Sequence, residues 1–342
     1  MAFSYKIDIS KDLSAIDFED INISSLEDKD LLKLLLASGI WQKSIISKDL
    51  FKAKNKIEDL GDYWYKLRDQ LFPNMKSGSR NTKNGRVSNR AGLKLEEILI
   101  SQNVKLEPHF SFVDLCGAPG SFIQLLISRG ASRGTAISID SGPNFYSELY
   151  GLRNLNLLTG DVCDKSIFND LFARAGSNNF LVTADGGFDL PPNLINFQEL
   201  LSAKLILAEL TLASKLLKND GVLILKLFST SSDISASIIY ILASLFDSVK
   251  IVKPPTSRIT NSERYALCEG YRKTPDLNWL RSSLFNLLDF SHTPIPSPDF
   301  VSFFRGDSLF KRSLRKVNED LSLKQIEFIE KVANSAHISI PN

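Results

Sequence analysis

The chain has 342 residues, 41 Lys and Arg against 39 Asp and Glu, and a hydrophobic content of 43%. That is enough apolar material for one large domain with appendages or two ordinary ones, and a net charge of only +2 excludes a protein that coats polyanions through a global field. Three cysteines without CxxC spacing (Cys116, Cys163, Cys268) and three scattered histidines (His109, His292, His337) suggest neither a disulfide framework nor a zinc cluster. Metal-free chemistry in a reducing compartment is expected.

The start, MAFSYKIDIS, has no apolar core of the signal-peptide kind, which points to a soluble intracellular protein. Asp8, Asp12, Asp17, Glu19, Asp20, Glu27, Asp28 and Asp30 then face only Lys6, Lys11 and Lys29, as on a solvated acidic surface. Leu31–Leu36 and the group Tyr63, Trp64, Leu67 and Leu71 have helical spacing, so residues 1–75 read as a helical N-terminal extension. Between Asp69 and Glu96 no acid occurs, while Lys76, Arg80, Lys83, Arg86, Arg90 and Lys94 accumulate among Gly78 and Gly85. This predicts a basic loop running into a helix, with a plain solvated linker as the alternative.

From Phe110 the rhythm changes. Phe112–Leu115, Ala136–Ile139, Leu155–Leu158, Phe180–Ala184, Val222–Phe228, Val249–Val252 and Tyr265–Cys268 read as strands, with helices near Phe122–Ile127 and Leu200–Leu217. Such βα alternation over residues 76–272 predicts a doubly wound, mostly parallel α/β sheet with its functional residues at the carboxyl ends of the strands. The apolar stretch Ile234–Phe246 is too short to span a membrane. Residues 273–342 read as a helical C-terminal extension, with helices near Leu277–Leu288 and Leu321–Val332 separated by Pro294, Pro296 and Pro298.

Several strand ends carry chemistry. Cys116-Gly117-Ala118-Pro119-Gly120-Ser121-Phe122 joins a strand to a helix, where glycines admit close backbone approach and a helix N-terminus favours an anionic group. Its spacing is not the G-x-G-x-x-G of dinucleotide binders. Asp140 and Asp161 end the next two strands; the first suits a ribose diol and the second, beside Val162, an adenine amino group, although either alone could be a helix cap. Asp185 closes Phe180–Ala184 and precedes Gly186-Gly187, an opening for substrate. Lys226 lies within the apolar run Val222–Phe228, where an ammonium is costly unless paired. Burial and a neighbouring cation are expected to lower its pKa and suit it to catalysis, a structural salt bridge being the alternative.

Five motifs in order now carry a resemblance: Asn89-Arg90-Ala91-Gly92-Leu93-Lys94, the CGAPGSF loop, Ala184–Phe188, Leu225–Phe228 and Thr256–Tyr265. From Arg68 to Arg272 the chain resembles the FtsJ-like ribose 2′-O-methyltransferases, and the ADGG and TSRxxNSERY strings resemble the cap-specific mRNA branch. The resemblance implies a Rossmann-like methyltransferase fold using S-adenosylmethionine, with Lys94, Asp185, Lys226 and Glu263 as the catalytic tetrad and no metal. It implies that Asn89, the Cys116–Phe122 loop, Asp161 and Val162 hold the cofactor, and that Asn196, Gln198, Asn261 and Arg258 meet RNA. The basic stretch holding Lys76, Arg80, Arg86 and Arg90 fits RNA phosphates, and Tyr63, Trp64, Tyr65 and Phe72 are either core or stacking residues. Ser121 departs from the usual second glycine, and Asp140 sits where cap enzymes vary. The implied activity is methylation of the ribose 2′-OH of the first transcribed nucleotide of capped RNA. An uncapped ribosomal or transfer RNA substrate and a non-catalytic RNA-binding scaffold are the rivals. Capped RNA and other capping or transcription proteins are the implied partners, no membrane is involved, and the cytoplasm of a eukaryotic cell, or a virus of one, is favoured over the nucleus.

Overall fold

Apolar strands and amphipathic helices assemble around one large sheet in the computed structural model, which describes residues 2–9, 45–71, 80–82, 85–87, 89–188, 198–278, 282 and 307–339. The strands are β1 (Phe3–Ile7), a hairpin of β2 (Arg80–Thr82) and β3 (Gly85–Val87), then β4 (Ser111–Leu115), β5 (Arg133–Ser138), β6 (Leu155–Thr159), β7 (Asn179–Ala184), β8 (Leu217–Phe228), β9 (Phe246–Lys253) and β10 (Glu263–Tyr271). The main sheet has eight strands in the order β1-β9-β10-β8-β7-β4-β5-β6. The four ladders that join β8, β7, β4, β5 and β6 are parallel, as the βα alternation predicts. β10 runs antiparallel between β8 and β9, and β1 antiparallel along β9.

Two consequences of this topology place the site. Strand order reverses between β4 and β7, which opens a crevice beyond their carboxyl ends. Because β10 is antiparallel, its first residue, Glu263, pairs with Phe228 at the end of β8 and so lies at that same edge.

The helices are α1 (Ile45–Leu60), α2 (Asp62–Leu71), α3 (Arg90–Ser101), α4 (Ser121–Ser128), α5 (Phe168–Ala175), α6 (Gln198–Leu201), α7 (Ala203–Leu216), α8 (Asp233–Leu245) and α9 (Ser308–Ser339). α3 and α4 pack Leu95, Ile98, Phe122 and Leu126 on one sheet face. On the other face lie α5, α7, α8 and the first half of α9, through Phe310, Leu314, Val317 and Leu321. A separate apolar cluster joins α1, α2 and the second half of α9 through Ala53, Trp64, Leu67, Ile329, Val332 and Ala336. The stretch Ile234–Phe246 forms α8 and the start of β9; every α8 side chain is buried, and Ser232 caps it by accepting the Ser235 N–H. No helix among the described residues is long and apolar enough to cross a membrane.

The structure corrects three expectations. The N-terminal extension is not wholly helical: Phe3, Tyr5 and Ile7 alternate with Ser4 and Lys6, a period of two that suits the sheet edge offered by β9. β8 starts at Leu217 instead of Val222, its polar Lys218–Asp220 interrupting the apolar pattern where the ladder with β7 is irregular. The last helix begins at Ser308 and runs 32 residues, because the stripe Phe310, Leu314, Val317, Leu321 docks on the sheet's core. The acidic stretch and helix expected within 10–44, Phe72, the prolines 294–298 and most of the helix near Leu277–Leu288 lie outside the described residues; of the last, Pro275–Leu277 is a single 3-10 turn.

Candidate active site

The loop after β4 forms the crevice's first wall. Cys116 takes a positive φ of 59°, and Gly120, at φ 115°, leads into α4, where a Cβ would meet the Leu149 side chain at 2.3 Å. A Cβ on Gly117 would meet Asp114 Oδ2 at 2.6 Å. Asp114 is fully buried in β4 and takes a hydrogen bond from the Thr183 hydroxyl at 2.6 Å, while its Oδ2 has no partner. Burial pushes its carboxyl up to about 7; the Thr183 bond acts downward and nearby Asp185 upward. The buried Ser121 hydroxyl is also unpartnered. Both polar groups sit beneath a loop that exposes backbone at a helix N-terminus.

The other expected cofactor residues gather around this wall. Asn89 caps α3 by accepting the Ala91 N–H at 2.8 Å and donates to the Tyr146 hydroxyl at 3.0 Å, while the Tyr146 N–H donates to the Pro119 carbonyl. Asp140 is exposed at the end of β5. Asp161 is exposed after β6, accepts the Cys163 N–H at 2.8 Å, and precedes the buried Val162.

Two ion pairs form the opposite wall. Lys94, on α3, meets Glu263 at 2.7 Å, and Lys226, from β8, meets Asp185 at 3.4 Å and its backbone carbonyl at 3.3 Å. Tyr265, opposite Lys226 across the β8–β10 ladder, joins the pairs. Its hydroxyl donates to Asp185 Oδ1 at 2.8 Å and also lies 3.5 Å from Glu263 Oε1. All four residues named from the resemblance are thus brought together, with a tyrosine that the sequence offers only as the end of a motif and the start of a strand.

The electrostatics reverse one expectation. Desolvation is the largest influence on Lys226 and acts downward, but Asp185, Glu263 and Glu209 outweigh it and hold the ammonium above its usual range. For Glu263, burial acts upward, yet Lys94, Lys226 and Lys253 bring the carboxyl down to about 2.

Glu209, on α7, was also missed. Its Oε1 accepts the Gly186 N–H at 3.1 Å, its Oε2 is buried without a partner, and burial raises its pKa to about 8. The glycines after Asp185 therefore make room as well as an opening: a Cβ on Gly186 would fall 2.3 Å from Glu209 Oε1, and one on Gly187 3.1 Å from the Lys226 ammonium.

The RNA-binding expectations divide. Arg258 is half-buried and faces Arg90, Arg68, Asp69 and Tyr65; burial, then Arg90 and Arg68, lowers its pKa. Arg258 Nε and Arg90 Nη1 are buried and unpartnered, so each side chain holds a guanidinium N–H that a phosphate would satisfy. Arg68 was not foreseen; it bonds Asp69 and stacks on the exposed Tyr65 ring at 5.2 Å, while Trp64 is core. Asn261 gives its side-chain oxygen to Lys253 at 2.7 Å. Gln198 opens α6 beside Glu199, which accepts the N–H groups of Ser231 and Ser232. Arg80 and Arg86 lie on the β2–β3 hairpin, paired with Val87 and Asn81, and Lys76 and Asn196 lie outside the described residues.

Comparison with known proteins gives the family. The family described as FtsJ-like methyltransferase matches residues 87–271. A cap-specific mRNA (nucleoside-2'-O-)-methyltransferase 1 from Trypanosoma brucei brucei is 32% identical over 288 residues, 76% of this chain and 75% of that protein. The protein of the same name from Trypanosoma cruzi is 32% identical over 306 residues, 81% and 82% of the two chains. That from Leishmania braziliensis is 29% identical over 331 residues, 86% and 81%. With the family matched from the strand before α3 to the end of β10, the chain belongs to the FtsJ-like methyltransferases.

Proposed function

We propose that this methyltransferase modifies the ribose 2′-OH of the first transcribed nucleotide of capped RNA, with S-adenosylmethionine as donor. The observation that carries the reading is the paired tetrad: Lys94–Glu263 and Asp185–Lys226, linked by Tyr265, at the edge where the cofactor loop opens. The relatives' names support the cap as the substrate's mark.

The residues present fit the cofactor. The unpartnered Asp114 oxygen beneath Gly117 suits an ammonium, and the N-terminal backbone of α4 suits a carboxylate. Asp140 would accept from a ribose diol, and Asp161 with Val162 would hold an adenine edge, while Asn89 and Tyr146 tie α3 to the loop. When bound, S-adenosylmethionine supplies an electrophilic methyl on a cationic sulfur.

The protein must align the hydroxyl and manage its proton. Lys226 is held as an ammonium by Asp185, so in this state it stabilises negative charge developing on the 2′-oxygen; a further positive charge in the crevice would lower its pKa and let it take the proton. Lys94 and Glu263 orient the hydroxyl from the other side. The two pairs titrate as one coupled set. Arg90 and Arg258 would hold RNA phosphates and Asn261 the nucleotide, with Arg80, Arg86, Lys76, Asn196 and Gln198 extending the track.

The test is methyl transfer from labelled S-adenosylmethionine to matched capped and triphosphorylated RNAs, followed by nuclease digestion and mass spectrometry. Label on the first ribose of the capped RNA alone is expected. Equal transfer to both, or label on internal riboses, would overturn the cap assignment.

A further inference from the structure

Five consecutive residues of the segment that carries Asn261 and Glu263 are each gripped from another element. Gln325, on α9, donates to the Thr260 carbonyl at 2.5 Å. Lys253, at the end of β9, donates to the Asn261 carbonyl and side chain at 2.9 and 2.7 Å and to the Glu263 carbonyl at 2.5 Å. Lys54, on α1, donates to the Ser262 hydroxyl at 3.0 Å. Arg264 reaches Thr230 Oγ1 at 3.1 Å and Asn318 Oδ1, on α9, at 3.3 Å, and Asn318 donates to the Thr230 carbonyl at 2.6 Å.

Lys54, Asn318 and Gln325 all lie outside the residues matched by the family. The arrangement is costly, since burying cations opposes folding. Desolvation, then Arg264, brings Lys54 down to about 8 against the pull of Glu199, and desolvation takes Lys253 well below its usual range. Fastening the terminal helices to one another does not need these bonds, because the Trp64–Val332 cluster already does so with apolar contacts. Hydrogen bonds to successive backbone and side-chain groups fix position, which apolar contact does less strictly.

We infer that α1 and α9 brace the edge of the active site, with Lys54 and Gln325 as positioning residues that set Asn261 and Glu263 against Lys94. The inference rests on the proposed role of Glu263. Misplacing a reacting group by a fraction of an ångström slows chemistry with little effect on binding at a separate wall. Cofactor affinity, read at the loop after β4, is the internal control.

In the full-length chain, Gln325→Ala and Lys54→Met are each expected to lower kcat for methyl transfer about tenfold. Their dissociation constants for S-adenosylmethionine should stay within about twofold of the parent. Amide hydrogen exchange should quicken in 256–264 and stay unchanged in 116–122. Val332→Ala, which loosens the terminal cluster without touching the segment, should leave kcat per folded molecule intact. Unchanged exchange in 256–264, or an equal loss of kcat in Val332→Ala, would overturn the brace. A parent enzyme inactive on capped RNA would sink the substrate reading alone, since the exchange arm needs no RNA.

Discussion

The two ion pairs of the site look alike in sequence and differ in structure. Lys94–Glu263 is short, at 2.7 Å, with side chains 8% and 9% exposed; Lys226–Asp185 is longer, at 3.4 Å, and more open, at 13% and 17%. Glu263 is surrounded by Lys94, Lys226 and Lys253, which keep it ionised down to about 2. Lys226 faces an excess of carboxylates and stays charged. Under the proposed function the contrast separates two tasks: the closed pair would fix geometry, and the open pair would meet the substrate. A locked pair tolerates no exchange of charge, whereas an open pair can respond when another charge enters.

The comparison breaks most visibly at the open pair. Lys226→Met should reduce kcat by about 10³-fold, the scale of losing a preorganised charge at the reacting oxygen, with cofactor affinity nearly unchanged. Single-turnover transfer beside calorimetric binding checks this, and a loss of less than about tenfold would move the chemistry away from Lys226.

At the closed pair, the effect should fall on stability as well as rate. Glu263→Ala leaves the Lys94 ammonium buried without its carboxylate, a cost of about 3–5 kcal/mol measurable by denaturant unfolding. The pH dependence follows from the lowered carboxyl. Its contribution is fully present above the ordinary range near 4.5 and is lost as pH falls towards 2. The gap between the parent and Glu263→Gln should therefore be flat at neutral pH and close only in acid.

A smaller effect belongs to the tyrosine between the pairs. Tyr265→Phe removes the donor to Asp185 at 2.8 Å while keeping the ring, and about a tenfold fall in kcat is expected with the fold intact. Rate and melting temperature measured together would separate the two; an unchanged rate would make Tyr265 a packing residue only.

Much of this was legible in the sequence because it broke local patterns. Lys226 interrupts an apolar strand, and Asp185 ends another beside two glycines; both stand out without knowledge of the fold. Asp114 within Phe112–Leu115 and Glu209 within Leu205–Leu212 carry the same signal, a charge inside an apolar run, and should have been singled out by the same rule. Tyr265 gave no such warning, since an aromatic residue suits a buried strand. β1, Lys54 and Gln325 were hidden for another reason: their partners are far away in the chain, and only the assembled sheet shows where they land. The direction of the Lys226 shift is hidden from the sequence because desolvation is visible in an apolar run, whereas the main carboxylates that outweigh it are distant in the chain: Asp185 follows β7 and Glu263 opens β10.

The smallest expected effect sharpens the comparison by adding a third carboxyl that is kept neutral. Glu209 touches Gly186 and lies near Cys116, Asp185 and Lys226, so its ionisation would place a new charge between the loop after β4 and the open pair. Its raised pKa reverses the sign found for Glu263. The stabilising contribution is complete below its ordinary value of 4.5 and is lost as pH rises through about 8. Glu209→Gln keeps an oxygen for the Gly186 N–H but cannot ionise, so the variant should gain on the parent in melting temperature as pH rises from 4.5 to about 8, and the gap should then hold. Parallel melting curves across this range would mean that Lys226 neutralises Glu209 as readily as it does Asp185, and the open pair would then be a three-member cluster.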